Sequence, residues 1–288
     1  MNAPDLSALL DPLRPWIGRT EQRSDLATAA MAAGLSATLD RTDPEPVLGA
    51  EMPPLAHWLC FVPVMAQREI GPDGHPLRGG FLPPVPLPRR MWAGGRIVFN
   101  HPLRVGDEVL RQSRILTVDA KAGRSGPLVF VTVRHDISNA HGLAISEEHD
   151  IVYREAPAPD APATPPLHAP TDEGYARTLH PDPVLLFRYS ALTFNSHRIH
   201  YDRPYAMDVE GYPGLVVHGP LIATLLVDLW RRQHPQARLR QFSYTAVRPT
   251  FDLHPFALCG RDDDARTCSL WSRDHDGFLT MKAQAQIA

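Results

Sequence analysis

The stretch Tyr189–Trp230 reads YSALTFNSHRIHYDRPYAMDVEGYPGLVVHGPLIATLLVDLW. Four polar side chains lie within eight of its residues: Asn195, His197, His200 and Asp202. After a short loop, the stretch ends in a strongly apolar segment. A polar cluster that faces the start of a buried segment predicts a reaction site.

The two ends of this stretch predict different secondary structures. Apolar residues recur at positions 221, 222, 225, 226 and 229, which is the spacing of one helix face, and Pro220 suits the first helical position. Residues 183–194, by contrast, end in Tyr189–Phe194, whose composition favours a short strand. The sequence therefore predicts a strand, a polar loop and a buried helix, in that order.

Turn signals separate strand-like segments in both halves of the chain. These segments cover residues 96–100, 108–115, 128–133, 144–153, 238–248, 256–260, 267–273 and 278–287. Short strands with hairpin-like spacing predict antiparallel sheet. Two short helices are expected at 6–16 and about 23–32. Residues 71–95 are expected to form ordered extended chain, because their prolines and glycines disfavour helix.

A Pro/Ala-rich segment, EAPAPDAPATPPLHAP at Glu155–Pro170, is typical of a semi-rigid linker. We therefore divide the chain into a first half at residues 1–154, a linker at 155–178 and a second half at 179–288. Each half has helical material followed by antiparallel strands. The order of elements, rather than sequence identity, indicates a repeat.

Two motifs carry a resemblance to a known family. FNSHRIHYDRPYA followed by GYPGLVVHGPLIA resembles the MaoC-like hydratases and dehydratases. LPRRMWAGG at Leu87–Gly95 is similar to a branch that includes mesaconyl-C(4)-CoA hydratase, itaconyl-CoA hydratase and the type 2 3-hydroxyacyl-thioester dehydratases. The resemblance implies an α+β double hot-dog fold with two antiparallel sheets, each wrapped on a central helix. The first half would be non-catalytic and would form the acyl pocket.

The resemblance also assigns catalytic positions. His200 stands at the family's catalytic histidine and Gly219 at its oxyanion glycine, whereas Asn195 replaces its catalytic aspartate and His197 its asparagine. Asparagine cannot accept a proton, so His200 would act as the base and Asn195 would orient the water. The amide of Gly219 would stabilise negative charge on the thioester oxygen, aided by the helix dipole.

The activity that the resemblance implies is reversible addition of water to an α,β-unsaturated acyl-CoA, with no cofactor beyond the CoA thioester itself. The expected substrate is mesaconyl-C(4)-CoA or itaconyl-CoA, giving citramalyl-CoA. Two alternatives remain open: dehydration of 3-hydroxyacyl thioesters in fatty-acid synthesis, and a non-catalytic module that binds acyl-CoA.

Candidate substrate contacts are Arg90, His197, Arg198, Asp202 and His218. Arg198 would suit a second carboxylate of the substrate, because a guanidinium binds carboxylates bidentately. Arg90 either binds an anionic group or lies at the surface, and Asp202 either shares the proton chemistry or starts a helix. His197, His200, Asp202 and His218 could alternatively bind zinc, but no metal is expected because the family pattern explains the same residues.

Composition narrows the partners. A formal net charge of -3 gives no electrostatic case for nucleic acid or an anionic membrane. Three cysteines without a CxxC pair argue against a disulfide framework and indicate core packing. The N-terminal residues lack the pattern of a signal peptide. We therefore expect a cytoplasmic enzyme, a homodimer, that acts on a small acyl-CoA.

Overall fold

Ten antiparallel strands form one continuous sheet within the residues that the computed structural model describes, which are 6–123, 126–155 and 165–288. The strands of the first half are β1 (Thr20–Leu26), β2 (Arg89–Phe99), β3 (Glu108–Gly123), β4 (Gly126–Asn139) and β5 (Gly142–Arg154). Those of the second half are β6 (Tyr175–Leu179), β7 (Leu239–Ala246), β8 (Phe256–Asp262), β9 (Thr267–Arg273) and β10 (Leu279–Ile287).

The described residues form four α-helices, of which the last is the longest. They are α1 (Leu6–Leu10), α2 (Ala29–Thr38), α3 (Pro183–Leu192) and α4 (Gly219–Gln233). Single helical turns occur at Arg14–Trp16, Ala56–Leu59, Gln67–Glu69, Arg198–His200 and Tyr205–Val209. Among the described residues, no helix combines the length and the apolar character needed to cross a bilayer.

The strand order has an internal two-fold pattern. It runs β1-β3-β4-β5-β2-β7-β10-β9-β8-β6, so that each half contributes five neighbouring strands in the same order from edge to centre. The halves meet where β2 pairs with β7, from Gly94 opposite Thr245 to Val98 opposite Gln241. The two sheets expected from the sequence are therefore joined edge to edge into one.

Within the part of the chain that the structure describes, only the second half has a long central helix. All residues from Leu221 to Trp230 of α4 are buried, and the helix packs against β8, β9 and β10. At the corresponding place in the first half the chain forms only the turn Ala56–Leu59. Pro53 and Pro54 precede that turn, and Pro63 follows it, so a longer helix is disfavoured there. In the first half this turn takes the place that the long helix α4 has in the second half.

The segment that was expected to be a strand at residues 183–194 is the helix α3. The side chain of Asp182 caps it by accepting a hydrogen bond from the Leu185 amide at 2.8 Å, and Pro183 occupies its first turn. Leu186, Tyr189 and Ser190 share the buried face. Tertiary packing and the cap outweigh the strand propensity of Tyr189 and Phe194.

Other boundaries differ in detail. Residues 20–26 form an edge strand where a helix was expected at about 23–32, and α2 begins only after Thr28, whose hydroxyl caps the Met31 amide. β6 begins inside the range expected to be linker and extends one residue beyond it, while residues 156–164 of that range lie outside the described residues. The eight expected strands are all present, and those of the first half are longer. The three cysteines are free and buried.

Candidate active site

The ring of His200 is held so that one nitrogen is a proton acceptor. His200 closes the turn after the polar loop, is 7% exposed, and its Nδ1 lies 2.7 Å from the carbonyl oxygen of Val216. A carbonyl only accepts, so Nδ1 carries the hydrogen and Nε2 the lone pair. Nε2 has no partner among the described residues and is not fully enclosed. Burial lowers the pKa of His200 to about 4, although the Val216 carbonyl opposes this, so the ring is neutral at pH 7.

His218 packs against the ring of His200. The two imidazoles stack, with centroids 3.6 Å apart and planes 19° apart. His218 is 1% exposed and its Nε2 shares a hydrogen bond of 2.8 Å with the hydroxyl of Ser190. Burial, and then the neighbouring His200, hold the pKa of His218 well below its usual range. This contact positions His200, and it leaves His218 almost no surface for a substrate.

Gly219 begins α4 directly after His218, so His200 lies beside the start of the helix. Among the described residues, none accepts a hydrogen bond from the amide of Gly219 or of Leu221. A Cβ at Gly219 would lie 2.7 Å from Cε3 of Trp92, a residue of β2. The sequence predicts glycine here because the substrate must approach closely, but the space that a Cβ would take is filled by the Trp92 ring.

A cavity of about 710 Å³ opens between the two halves at this place. From the second half, Ser190, Asn195 and Pro220 line it. The first half contributes a loop, two tryptophans and several polar side chains on the concave face of the sheet. His200 and Gly219 are not among the lining residues, although Gly219 is the chain neighbour of Pro220 and His200 contacts His197 and His218.

Asn195 is fixed at the cavity by hydrogen bonds of its backbone amide and of its side-chain oxygen. Its amide donates to the Ser190 carbonyl at 2.8 Å, and its Oδ1 accepts from the His197 amide at 3.0 Å. Within the described part of the chain, its side-chain nitrogen has no partner. Phe194, the preceding residue, has φ +49°, a left-handed backbone that a non-glycine residue adopts only when its surroundings impose it.

A loop of the first half reaches this site and was missed from the sequence. Nδ1 of His75 lies 3.0 Å from a carboxylate oxygen of Asp73, and the rings of His75 and His197 are 3.9 Å apart. His197 in turn contacts His200 edge to face at 5.4 Å. His75 lines the cavity. His197 does not line it, and burial lowers the pKa of His197 to about 2. The only sequence signal was Asp73-Gly74-His75 within a segment rich in glycine and proline.

This loop is clamped onto the catalytic loop of the other half. The Ser196 hydroxyl donates to the Gly74 carbonyl at 2.6 Å, and the Arg198 amide donates to the Asp73 carbonyl at 2.9 Å. Gly74 has φ +88°, and a Cβ there would lie 1.8 Å from the Ser196 carbonyl oxygen. Only glycine allows the two backbones to approach this closely.

Arg198 and Asp202 bind each other rather than facing the cavity. Nε and Nη2 of Arg198 lie 2.9 and 2.8 Å from the same oxygen of Asp202, and Nη1 donates to the Pro72 carbonyl at 3.0 Å. The other oxygen of Asp202 accepts from the Tyr205 amide at 3.2 Å. This fits the alternative in which Asp202 starts a helical turn, and it leaves Arg198 no free face for a second carboxylate. The zinc alternative also lacks its geometry, because His200 stacks on His218 and Asp202 pairs with Arg198.

Instead, Asp73, His75 and His197 form a group whose potential ligand atoms lie within 4.8 Å of one another. Asp73 and His75 satisfy each other by hydrogen bonding without a cation. Burial opposes ionisation of Asp73, but the hydrogen bonds from His75 outweigh it and lower the pKa of that carboxyl.

The first-half lining of the cavity contains a cluster of polar side chains on the concave face of the sheet, among apolar ones. Glu147 is 4% exposed and accepts from Nε1 of Trp58 at 3.0 Å and from Nε2 of His57 at 3.2 Å. Burial raises the pKa of Glu147, but the hydrogen bond from His57 and the nearby charges of His57, His135 and His149 together outweigh it, and the pKa falls to about 2. His135, beside it on β4, has a pKa lowered to about 4 by burial.

Two arginines add positive charge to this wall. Nε of Arg111 is buried without a partner among the described residues, and its guanidinium lies 3.7 Å from Glu21. Arg90 has no carboxylate within 4.0 Å in the part of the chain that the structure describes. Sequence reasoning singled out Arg90 but missed Arg111, His135 and Glu147. The available signal was a run of polar residues at strand positions whose alternation points to the buried face.

Comparisons with known proteins agree with this geometry. The solved structure of a MaoC-like dehydratase from Phytophthora capsici superposes with a TM-score of 0.70 at 10% identity, covering 97% of this chain and 98% of that one. A conserved hypothetical protein of Mycobacterium tuberculosis described as a double hotdog gives a TM-score of 0.56 at 13% identity over 94% and 96% of the two chains. The fold is therefore an α+β double hot-dog, as predicted.

Sequence relatives carry the assignment further. Mesaconyl-C(4)-CoA hydratase of Chloroflexus aurantiacus is 49% identical over 272 residues, which are 94% of this chain and 96% of the relative. A mitochondrial hydroxyacyl-thioester dehydratase type 2 of Schizosaccharomyces pombe is 27% identical over 240 residues, 75% of this chain and 78% of the relative. The family described as hydroxyacyl-thioester dehydratase type 2 matches residues 55–252. The chain belongs to this family and is a hydro-lyase.

Proposed function

We propose that the protein adds water reversibly to mesaconyl-C(4)-CoA or itaconyl-CoA and forms citramalyl-CoA. The observation that carries this choice is the cationic wall of the cavity, formed by Arg90 and Arg111, in the half that would hold the acyl group. Such a wall suits a short acyl group that ends in a carboxylate and disfavours a long hydrocarbon chain. The relative from Chloroflexus aurantiacus, a mesaconyl-C(4)-CoA hydratase, supports the same choice.

The roles follow from the positions of the polar groups. Nε2 of His200 takes a proton from a water molecule that the side-chain nitrogen or oxygen of Asn195 orients. The oxygen of that water bonds to the β-carbon, and the electron pair of the double bond shifts toward the thioester. Negative charge on the thioester oxygen is stabilised by the amides of Gly219 and Leu221 at the start of α4. A proton at the α-carbon completes the addition.

The second carboxylate is assigned to Arg90 and Arg111 instead of Arg198, whose guanidinium is engaged by Asp202. A carboxylate between the two arginines would also meet His135, which lines the same wall. Glu147 repels such an anion, but its charge is directed to His57 and Trp58 through hydrogen bonds. In this scheme the first half binds the acyl group, and the residues to which the sequence assigns catalysis, Asn195, His200 and Gly219, all lie in the second half. No cofactor beyond the CoA thioester is part of this scheme.

The test is a set of turnover measurements at the absorbance of the enoyl thioester, with mesaconyl-C(4)-CoA, itaconyl-CoA and crotonyl-CoA. We expect the first or second to have a kcat/KM at least tenfold above crotonyl-CoA, because only they carry a carboxylate. Preference for crotonyl-CoA or longer enoyl-CoA would favour the fatty-acid alternative. Binding without formation of a hydroxy product would favour the non-catalytic alternative.

The homodimer and the cytoplasmic location stay predictions, as does the division at residues 1–154, 155–178 and 179–288. Light scattering coupled to size-exclusion chromatography, set against the 32.0 kDa of one chain, measures the oligomeric state.

A further inference from the structure

Hydration needs two proton transfers at two carbon positions. One proton leaves the attacking water beside the β-carbon, and one arrives at the α-carbon. The aspartate that the family pattern places beside the histidine is Asn195 here, and an amide carries neither proton. Either His200 makes both transfers, or another side chain at the cavity makes one of them.

His75 is placed to be that side chain. It is a cavity-lining residue from the first half, and its position is set by the clamp between Gly74 and Ser196. The carboxylate of Asp73 accepts the hydrogen of Nδ1 at 3.0 Å, which leaves the lone pair on Nε2. A carboxylate that orients an imidazole and stabilises its protonated form is a recurrent arrangement in proton transfer.

The surroundings of His75 have opposing effects on its protonation. Asp73 favours the imidazolium, while burial, Arg90 and Arg78 disfavour it, and the ring of His197 faces it from the catalytic loop. Burial, the largest of these effects, lowers the pKa of His75 below its ordinary value. The hydrogen bond to Asp73 and the position at the cavity suit a group that must both take and release a proton at Nε2.

We propose that His75, oriented by Asp73, is the catalytic residue that transfers the proton at the α-carbon. In hydration, Nε2 of His200 receives the water proton as the oxygen bonds to the β-carbon, and protonated His75 gives its Nε2 proton to the α-carbon. In dehydration, neutral His75 removes the α-proton and protonated His200 donates to the departing hydroxyl. After hydration one proton returns from His200 to His75 through solvent, and after dehydration one proton returns from His75 to His200, so the protein ends unchanged.

This inference rests on the proposed hydration, and the experiment separates the two. Wild-type protein and the His75→Gln, His75→Ala and Asp73→Asn variants are assayed on whichever enoyl thioester the wild type turns over fastest. Entry of deuterium from D2O at the α-carbon of the hydroxy product is followed by mass spectrometry. His234→Ala is the matched control, because His234 also pairs with an aspartate, Asp262, at 3.1 Å but lies at the far end of α4.

We expect both His75 variants to lose on the order of 10²–10⁴-fold in kcat and in deuterium entry, with KM changed little. Free imidazole should partly restore His75→Ala. Asp73→Asn should lose less kcat than the His75 variants. It should also shift the pH dependence of kcat, which the His75 variants should abolish. His234→Ala should behave as wild type.

Turnover of His75→Ala within threefold of wild type would overturn the inference while leaving the hydratase assignment intact. So would loss of wild-type activity on treatment with a chelator and its return with a divalent cation, since Asp73, His75 and His197 would then bind metal. If the His75 variants do not fold, the test is the kinetics of Asp73→Asn measured without added imidazole. A rate and pH profile equal to those of the wild type would contradict the proposal. Wild-type protein that hydrates no enoyl thioester would refute the proposed function itself.

Discussion

The two halves of the sheet share a strand order but are filled differently. Beneath the second half lies the fifteen-residue helix α4, with ten consecutive buried residues. Beneath the first half lies a four-residue turn and the cavity of about 710 Å³. Where the helix is present, it supplies free backbone amides and packs the core. Where it is absent, the concave face of the sheet is open to a ligand, and that face carries Arg111, His135 and Glu147.

This difference shows how one architecture provides two functions. The helix start holds backbone amides beside the stacked rings of His200 and His218, which are the groups that would meet developing charge. An unfilled sheet face provides room and selectivity, at the expense of apolar burial in that half. Four substitutions or conditions test this division of labour between the halves.

The largest effect is expected for His200→Ala in the second half. Loss of the proton acceptor should lower kcat by on the order of 10³-fold or more, whichever enoyl-CoA is used. Asn195→Asp should retain measurable hydration, because a carboxylate can also orient water. Circular dichroism shows whether the variants fold, and near-normal turnover of His200→Ala would contradict its role.

Gly219→Ala should follow, with a loss on the order of 10²–10³-fold in kcat. The added methyl would lie 2.7 Å from the Trp92 ring and would displace the start of α4 from its position beside the cavity. Gly80→Ala is the control, because nothing lies within 4 Å of a Cβ there. Equal rates for the two variants would show that the helix start does not act on the thioester oxygen.

Arg111→Met tests the first half. Removing one charged partner of the substrate carboxylate should raise KM for mesaconyl-C(4)-CoA about 10–100-fold and leave crotonyl-CoA nearly unchanged. Arg96→Met serves as the control, because Arg96 is on the same half of the sheet but pairs with Asp150 at 2.7 Å. A parallel rise in KM for both thioesters would indicate a packing defect instead of carboxylate recognition.

The smallest effect concerns stability against pH. Burial lowers the pKa of His135 and of His200 to about 4, below the value of about 6.5 in an unfolded chain. Between these values the unfolded state binds more protons, so stability falls as pH drops from 7 to 5, by about 2 kcal/mol for each such histidine. Tm should fall accordingly, by about 2–4 °C per kcal/mol. His135→Asn should make this slope shallower, and a constant Tm from pH 7 to 5 would exclude the buried-histidine explanation.

Sequence reasoning reached the second half more completely than the first. The helix α4 follows from apolar spacing and Pro220, and the strands from alternation and turn residues, because these signals are local. The helix α3 did not follow, since the buried face of Leu186 and Tyr189 depends on packing across the fold. The cluster around Asp73 and His75 could not be placed either, because its loop is defined by contacts with Ser196, more than a hundred residues away in the chain.

The seam between β2 and β7 contains Gly95, where a Cβ would lie 2.3 Å from the Tyr244 hydroxyl. Tyr244 stacks on Trp92 with ring centroids 4.3 Å apart, and Trp92 in turn fills the space at Gly219. A genetic screen for inactive alleles should therefore recover Gly95 as readily as residues of the loop. A side chain at position 95 would displace Tyr244 and, through it, Trp92. The protein would still fold but would lose catalytic activity.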